Sequence, residues 1–178
     1  MSRIKAQLLS LYTKLLIKSR RVERTNVGFR QAKSIGILYS GDAPKKQEGV
    51  DWLTTQLNQL GKQVTVLCYV PPHTQANGLS VPTVTNRDVQ LWGGITSPTA
   101  KAFVDTPFDY LYQVDLESSP VPDYLLAKSH AKCRVGHYDA SRVALFEVMV
   151  SFERRPGSNE IADLAAQMLH YTHLLKAK

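Results

Sequence analysis

Residues 34–70 constrain this chain more than any other stretch, because they read as strand, helix and strand with little freedom between them. Ser34-Ile35-Gly36-Ile37-Leu38-Tyr39 is a short apolar run closed by Ser40-Gly41-Asp42, the pattern of a strand buried on both faces and of the turn that ends it. From Pro44 to Leu60 the period changes. Val50, Leu53, Leu57 and Leu60 fall on one helical face, and Gly61 stands where a left-handed residue stops a helix. Val64 to Val70 is a second strand. Two strands joined through a helix of about four turns pair in parallel with a right-handed crossover, since connections are short and un-knotted. The expected class is α/β: a single Rossmann-like three-layer domain, its sheet mainly parallel.

The remaining elements extend that plan. Phe108, Tyr110, Tyr112, Val114 and Leu116 alternate with Asp109, Leu111, Gln113 and Asp115 as a strand with Asp115 at its carboxyl end. Pro120-Val121-Pro122 breaks it and opens a short helix that buries Tyr124 and Leu125, with Lys128 exposed and Ala131 buried before Cys133-Arg134-Val135 start another strand. Pro71 to Arg87 is rich in Pro, Thr, Asn and Gly and reads as an exposed loop, followed by a short strand over Val89 to Trp92. Ser97 and Pro98 cap a helix reaching Val104. In Leu145 to Phe152, apolar Phe146, Val148, Val150 and Phe152 alternate with Glu147, Met149 and Ser151, which predicts an edge or antiparallel strand with one wet face. A last helix presents Ile161, Leu164, Ala165, Met168, Thr172 and Leu175 to the core. Ile35, Ile37, Leu53, Leu57, Val64, Val66, Tyr110, Val135, Phe146, Val148 and Leu164 are expected in one core.

Charge divides the chain at residue 33. Residues 1–33 hold nine Lys or Arg against one acid, Glu23, a net +8, whereas the whole 178-residue chain carries +7, so residues 34–178 are close to neutral. This sets a basic N-terminal helical segment, 1–33, beside an α/β domain, 34–178. Ile4, Leu8, Leu11 and Leu15, widened by Tyr12 and Leu16, form an apolar stripe over 3–18 with Arg3, Lys14 and Lys18 to one side. The block from Lys18 to Arg24 has only Glu23 to oppose it. Arg3, Lys14, Lys18, Arg20, Arg21 and Arg24 are therefore candidate contacts to an anionic partner, RNA or an anionic membrane surface. A helix docked on the domain with a solvated basic face accounts for the same residues. Apolar runs fall short of the roughly 18–20 residues that span a bilayer. The segment has no secretory apolar core, while its basic, acid-poor composition leaves a transit peptide open.

Chemistry is thinly signposted. Asp42, Asp115, Asp123 and Arg134 lie at strand ends or helix starts, where open α/β sheets place ligands and also ordinary helix caps. Ser40-Gly41-Asp42 lacks the glycine pattern of dinucleotide folds and the Gly-Lys-Ser/Thr of nucleotide loops, so no cofactor is implied. His170 and His173 read as a solvent-facing pair and not as metal ligands, Cys68 and Cys133 as buried free thiols that favour a reducing compartment, and Trp52 and Trp92 as core anchors. Two functions stay in view: a non-enzymatic binding module with an anion-seeking N-terminal helix, and a small enzyme or nucleotide or sugar-nucleotide binder using the strand ends.

SIGILY, the helix running to Gly61-Lys62-Gln63-Val64, Trp92-Gly93-Gly94, FDYLYQVDL and AKSHAKCRVG together resemble a family of uncharacterised conserved proteins, a domain of unknown function, from Bacteroidota. The resemblance covers nearly the whole chain. It implies a bacterial cytoplasmic setting and an α/β fold, and it brings no catalytic residues. AKCRVG is also similar to the helix-to-strand connection of heptosyltransferase-type sugar transferases, a likeness of fold alone because the chain is about half the size such two-domain enzymes need.

Overall fold

The structure, a computed structural model, describes residues 3–19, 27–74, 80–90, 92–152 and 157–176. Strands β1 (Ser34–Ser40), β2 (Gln63–Val70), β3 (Thr83–Thr85), β4 (Tyr110–Gln113), β5 (Cys133–His137) and β6 (Val148–Val150) form one sheet in the order β3-β2-β1-β4-β5-β6, with every pairing parallel. The chain starts at the centre of the sheet, winds out to β3, returns beside β1 as β4 and winds out to β6. Its direction of winding thus reverses between β1 and β4, the position where open α/β sheets leave a crevice at the carboxyl ends of the strands.

Helices cover both faces. α2 (Pro44–Gln59) and α5 (Glu160–His173) pack together over one, and α3 (Pro98–Asp105) and α4 (Pro120–Lys128) cover the other, where α1 (Arg3–Ser19) lies against α4. Gly49 permits the α2–α5 contact, because a Cβ there would stand 2.8 Å from Ile161 Cγ2 and 3.2 Å from the Ala162 nitrogen. Gly61, at φ 73°, ends α2 in the left-handed conformation that its position in the sequence predicts. α3 begins as expected, with Ser97 Oγ accepting from the Ala100 N–H at 3.2 Å and Pro98 in the first turn. Every residue of α4 from Val121 to Ala127 is buried, since the helix is held between the sheet and α1.

Several expectations need correction. The core is two layers and not one: Ile35, Ile37, Leu53, Leu57, Tyr110, Val135 and Leu164 share the α2–α5 side, while Phe146 packs on the α4 side. Val64, Val66 and Val148 are only partly buried. Within the stretch read as a loop, β3 runs parallel to β2 with Val84 fully buried. Turn residues there obscured a pairing that only tertiary contact creates. In the short strand expected over Val89 to Trp92, Leu91 lies outside the described residues, Gln90 and Trp92 belong to no strand, and Val89 makes a single bridge to Ile95. β6 is an edge strand, yet parallel, and shorter than the alternation suggested. Trp52 and Trp92 are not anchors, being 40% and 77% exposed; Trp52 flanks the inward face of α2, and Trp92 sits on the turn closed by the Gln90–Gly94 hydrogen bond.

α1 forms where its periodicity predicts but docks with a different face. Leu9 and Thr13 are buried, and Tyr12, Leu16 and Ile17 pack partly against the α4-side core. Of the predicted stripe, Ile4, Leu11 and Leu15 face solvent, 69%, 54% and 51% exposed. Because α1 shares a core with residues of the α/β domain, it is packed as part of that domain.

Candidate functional site

At the β1–β4 crevice the loop after β1 and the first turn of α2 meet the end of β4. Lys46 Nζ donates to Asp42 at 2.8 Å and to Asp115 at 2.9 Å. Asp115, nearly inaccessible, also accepts from the Ser40 N–H and the Ser40 hydroxyl, each at 3.1 Å. Burial pushes the Asp115 carboxyl above the usual carboxylate range against the pull of Lys46 and Ser40. Burial pulls Lys46 down, but Asp115 and Asp42 carry it above its ordinary value. Asp115 therefore ties together the ends of two central strands, and Asp42 leaves its carboxylate on the open rim.

Some 280 Å³ of space opens on the α1–α4 side, beyond the end of β4. Its walls are Ser10, Thr13, Lys14 and Ile17 of α1, Ser118, Pro120 and Asp123 where α4 begins, and Ser141, Arg142, Ala144 and Leu145 of the 3₁₀ turn Ala140–Leu145. Asp139 starts that turn, its carboxylate accepting from the Ser141 N–H at 2.8 Å, and the turn carries Arg142 inward. The Arg142 guanidinium bonds Asp123 and, at 2.6 Å, the side-chain oxygen of Gln113, the last residue of β4. It lies over the Phe146 ring at 5.1 Å, and its Nε–H is buried without an acceptor among the described residues. Ser118 donates to Asp123 at 2.6 Å.

The four predicted pocket residues thus separate. Asp42 and Asp115 share Lys46, and Asp123 lines the cleft. Asp42 and Asp115 reach the first turn of α2 through the Lys46 side chain and not as caps; the N-cap residues of α2 and α4 are Ala43 and Ser119, neither with a side-chain cap bond. Arg134 stands apart from them: it sits near the start of β5, at the opposite edge of the sheet, in a two-pronged pair with Glu147 at 2.8 and 3.1 Å. Lys46 and Arg142, the cations that organise the site, were not singled out in the sequence. Lys46 is legible afterwards as the partner four residues beyond Asp42, whereas Arg142 finds its partners 19 and 29 residues away.

The match to a known family takes in α1, both cores and the cleft. This chain belongs to DUF6913, a family of unknown function. The DUF6913 match runs over residues 5–175. No curated protein matches the sequence. Among the described residues no group of three His, Cys, Asp or Glu could hold a metal ion, and no helix is long and apolar enough to cross a membrane. His170 and His173 are exposed, and Cys68 and Cys133 are buried free thiols.

The N-terminal cations divide as well. Arg3, Lys14 and Lys18 are exposed on α1, while Arg20, Arg21 and Arg24 lie outside the described residues. Lys5 turns inward and donates to the Asn86 carbonyl at 2.6 Å, pinning the start of α1 beyond the end of β3. On the outer face of α1, Lys14 and Lys18 stand beside the bare stripe of Ile4, Leu11 and Leu15.

Proposed function

We propose that this protein is a non-enzymatic binding module that lies on an anionic membrane surface through the outer face of α1. One observation carries the reading: Ile4, Leu11 and Leu15 are exposed on a docked helix, next to Lys14 and Lys18. A helix in the plane of a bilayer places its apolar residues among acyl chains and its cations at the headgroups. Each cation near an anionic surface contributes about 1 kcal/mol, so Arg3, Lys14 and Lys18 supply binding that the three apolar side chains reinforce. An RNA partner uses the cations and leaves the leucines unexplained. In this reading the protein is a bacterial cytoplasmic one, peripheral to the membrane, and its Rossmann-like strand order supplies a rigid platform with no nucleotide loop after β1.

Flotation of the full-length chain with vesicles tests it. Binding is expected to vesicles containing phosphatidylglycerol and not to pure phosphatidylcholine, to weaken in high salt, and to be lost in both Leu11→Ser/Leu15→Ser and Lys18→Glu. Binding that survives the leucine replacements, or retention on RNA that nuclease abolishes with no vesicle binding, would overturn it.

A further inference from the structure

The cleft between α1, the start of α4 and the 3₁₀ turn Ala140–Leu145 is a second candidate site, carried by observations that share only Lys14 with the outer face of α1. We propose that it binds the phosphate group of a small phosphorylated, hydroxyl-bearing molecule against Arg142 and Lys14.

Arg142 is almost wholly buried, and a buried guanidinium ordinarily places its N–H groups on acceptors. Here the Gln113 oxygen and Asp123 take bonds from Nη2, while Nε–H has no acceptor among the described residues. The Arg142 side chain lines a polar recess at the β4 end, which is where an open α/β sheet receives ligands. Nε itself is closed off from the recess, so a phosphate oxygen meets Arg142 at the small part of the guanidinium side chain that reaches the wall, and a planar guanidinium suits phosphate better than any other side chain. Lys14 stands on the rim from the facing helix. With Asp123 set against Arg142, Lys14 leaves the recess net positive.

The rest of the lining narrows the ligand. Ser10, Ser118 and Ser141 bring hydroxyls to the walls, and Asp123 offers an acceptor, a surface suited to the hydroxyls of a small polyol or sugar phosphate. A volume near 280 Å³ is at the small end for ligand sites and excludes a dinucleotide. One carboxylate among two cations excludes a divalent cation as the primary ligand.

Isothermal titration of the full-length protein in a phosphate-free buffer decides the matter, with inorganic phosphate, glycerol 3-phosphate and ribose 5-phosphate as probes and sulfate and malonate as comparison anions. Expected is saturable binding of a sugar or glycerol phosphate, tighter than sulfate or malonate. Lys14→Ala and Arg142→Lys should each weaken it about ten- to a hundredfold, the range for losing a hydrogen bond to a charged group. Lys101→Ala, on exposed α3, should leave it unchanged. If Arg142→Lys fails to fold, Lys14→Ala decides alone, because that side chain is exposed. No saturable heat at millimolar probe, equal binding of all the anions, or indifference to Lys14→Ala would each overturn the proposal. Lys18→Glu, which disables the membrane face, should leave phosphate binding intact, so the two readings fail separately.

Discussion

At the amino-terminal edge of the sheet, Asp109 accepts the N–H groups of Lys33 and Ser34 at 2.7 and 3.1 Å and the Lys132 ammonium at 2.8 Å, whereas at the carboxyl edge Lys46 divides itself between two acids and Arg142 keeps a buried N–H with no acceptor among the described residues. Arg134 closes on Glu147 at the first edge, and Lys62 donates at 2.7 Å to the carbonyls of both Phe29 and Ala32 while lying over the Phe29 ring. These groups staple the starts of five strands, β1, β2, β4, β5 and β6, and the turn before β1. The same residue types at the carboxyl edge border an open cleft and a solvent-facing helix. Charge alone does not mark a site in this protein; charge whose bonding capacity the fold leaves incomplete does.

The contrast can be broken by removing one cation at each edge. Arg142→Ala leaves Asp123 buried and unpaired and should cost about 3–5 kcal/mol, the usual penalty for half of a buried pair. Arg134→Ala strands Glu147 at a partly exposed position, so its cost should be smaller, about 1–3 kcal/mol. Urea denaturation of both variants measures this. Should Arg134→Ala prove the more damaging, the amino-terminal staple is the more deeply integrated of the two.

Lys62→Met probes the amino-terminal edge without touching an ion pair. Burial pulls the Lys62 ammonium below its ordinary pKa, with Asp109 opposing that shift, yet the ammonium still caps two buried carbonyls. Methionine preserves the volume and leaves those carbonyls unpaired, for a loss of about 1–3 kcal/mol. A thermal midpoint equal to the wild type would show that water replaces the ammonium freely.

Acid should act on the same edge. Burial raises the Asp109 carboxyl, but the Lys132 ammonium and the N–H groups of Lys33 and Ser34 outweigh it and hold its pKa below the usual carboxylate range. A folded pKa below the unfolded one means that the stabilisation is complete above the unfolded value and disappears as pH falls through the folded value, which places the loss below about pH 4. Asp109→Asn should flatten the fall of stability with acid in that window. Stability curves of unchanged slope in the variant would assign acid sensitivity to other carboxylates.

How much of this was legible beforehand follows the range of the interactions. The β1–α2–β2 unit was readable because its apolar runs, its period change and Gly61 are local signals; Ile35, Ile37, Val50, Leu53 and Leu57 are buried as expected, whereas Leu60 is 44% exposed and Val64 and Val66 are only partly buried. β3 was hidden because Thr83 and Val84 gain strand structure only by pairing with Cys68 and Tyr69 of β2. Phe146 meets the other layer because it lies before β6, at the residue that closes the 3₁₀ turn, so the alternation that places Val148 and Val150 does not extend to it. Arg142 was missed because nothing in Ser141-Arg142-Val143 announces Asp123 and Gln113. For α1 the ambiguity was in the helix itself. Leu8, Leu9, Leu11, Tyr12, Leu15, Leu16 and Ile17 surround most of its circumference, so periodicity found a helix without deciding which face would dock.

That same ambiguity yields the smallest stability effect and the sharpest test of what lies outside the fold. Leu11 and Leu15 are more than half exposed, so Leu11→Ser/Leu15→Ser removes few contacts, and surface replacements of this kind usually change stability by no more than about 0.5 kcal/mol each. Leu9, buried against α4, is the internal control, since its truncation should visibly lower the thermal midpoint. If the outer leucines serve only to complete α1, their replacement lowers the midpoint as Leu9→Ala does and vesicle binding falls merely in step with unfolding. If they serve a surface beyond the protein, the midpoint holds and vesicle binding disappears. The fold gives the outer leucines no partner among its described residues, and the second outcome is the one that the exposed stripe beside Lys14 and Lys18 predicts.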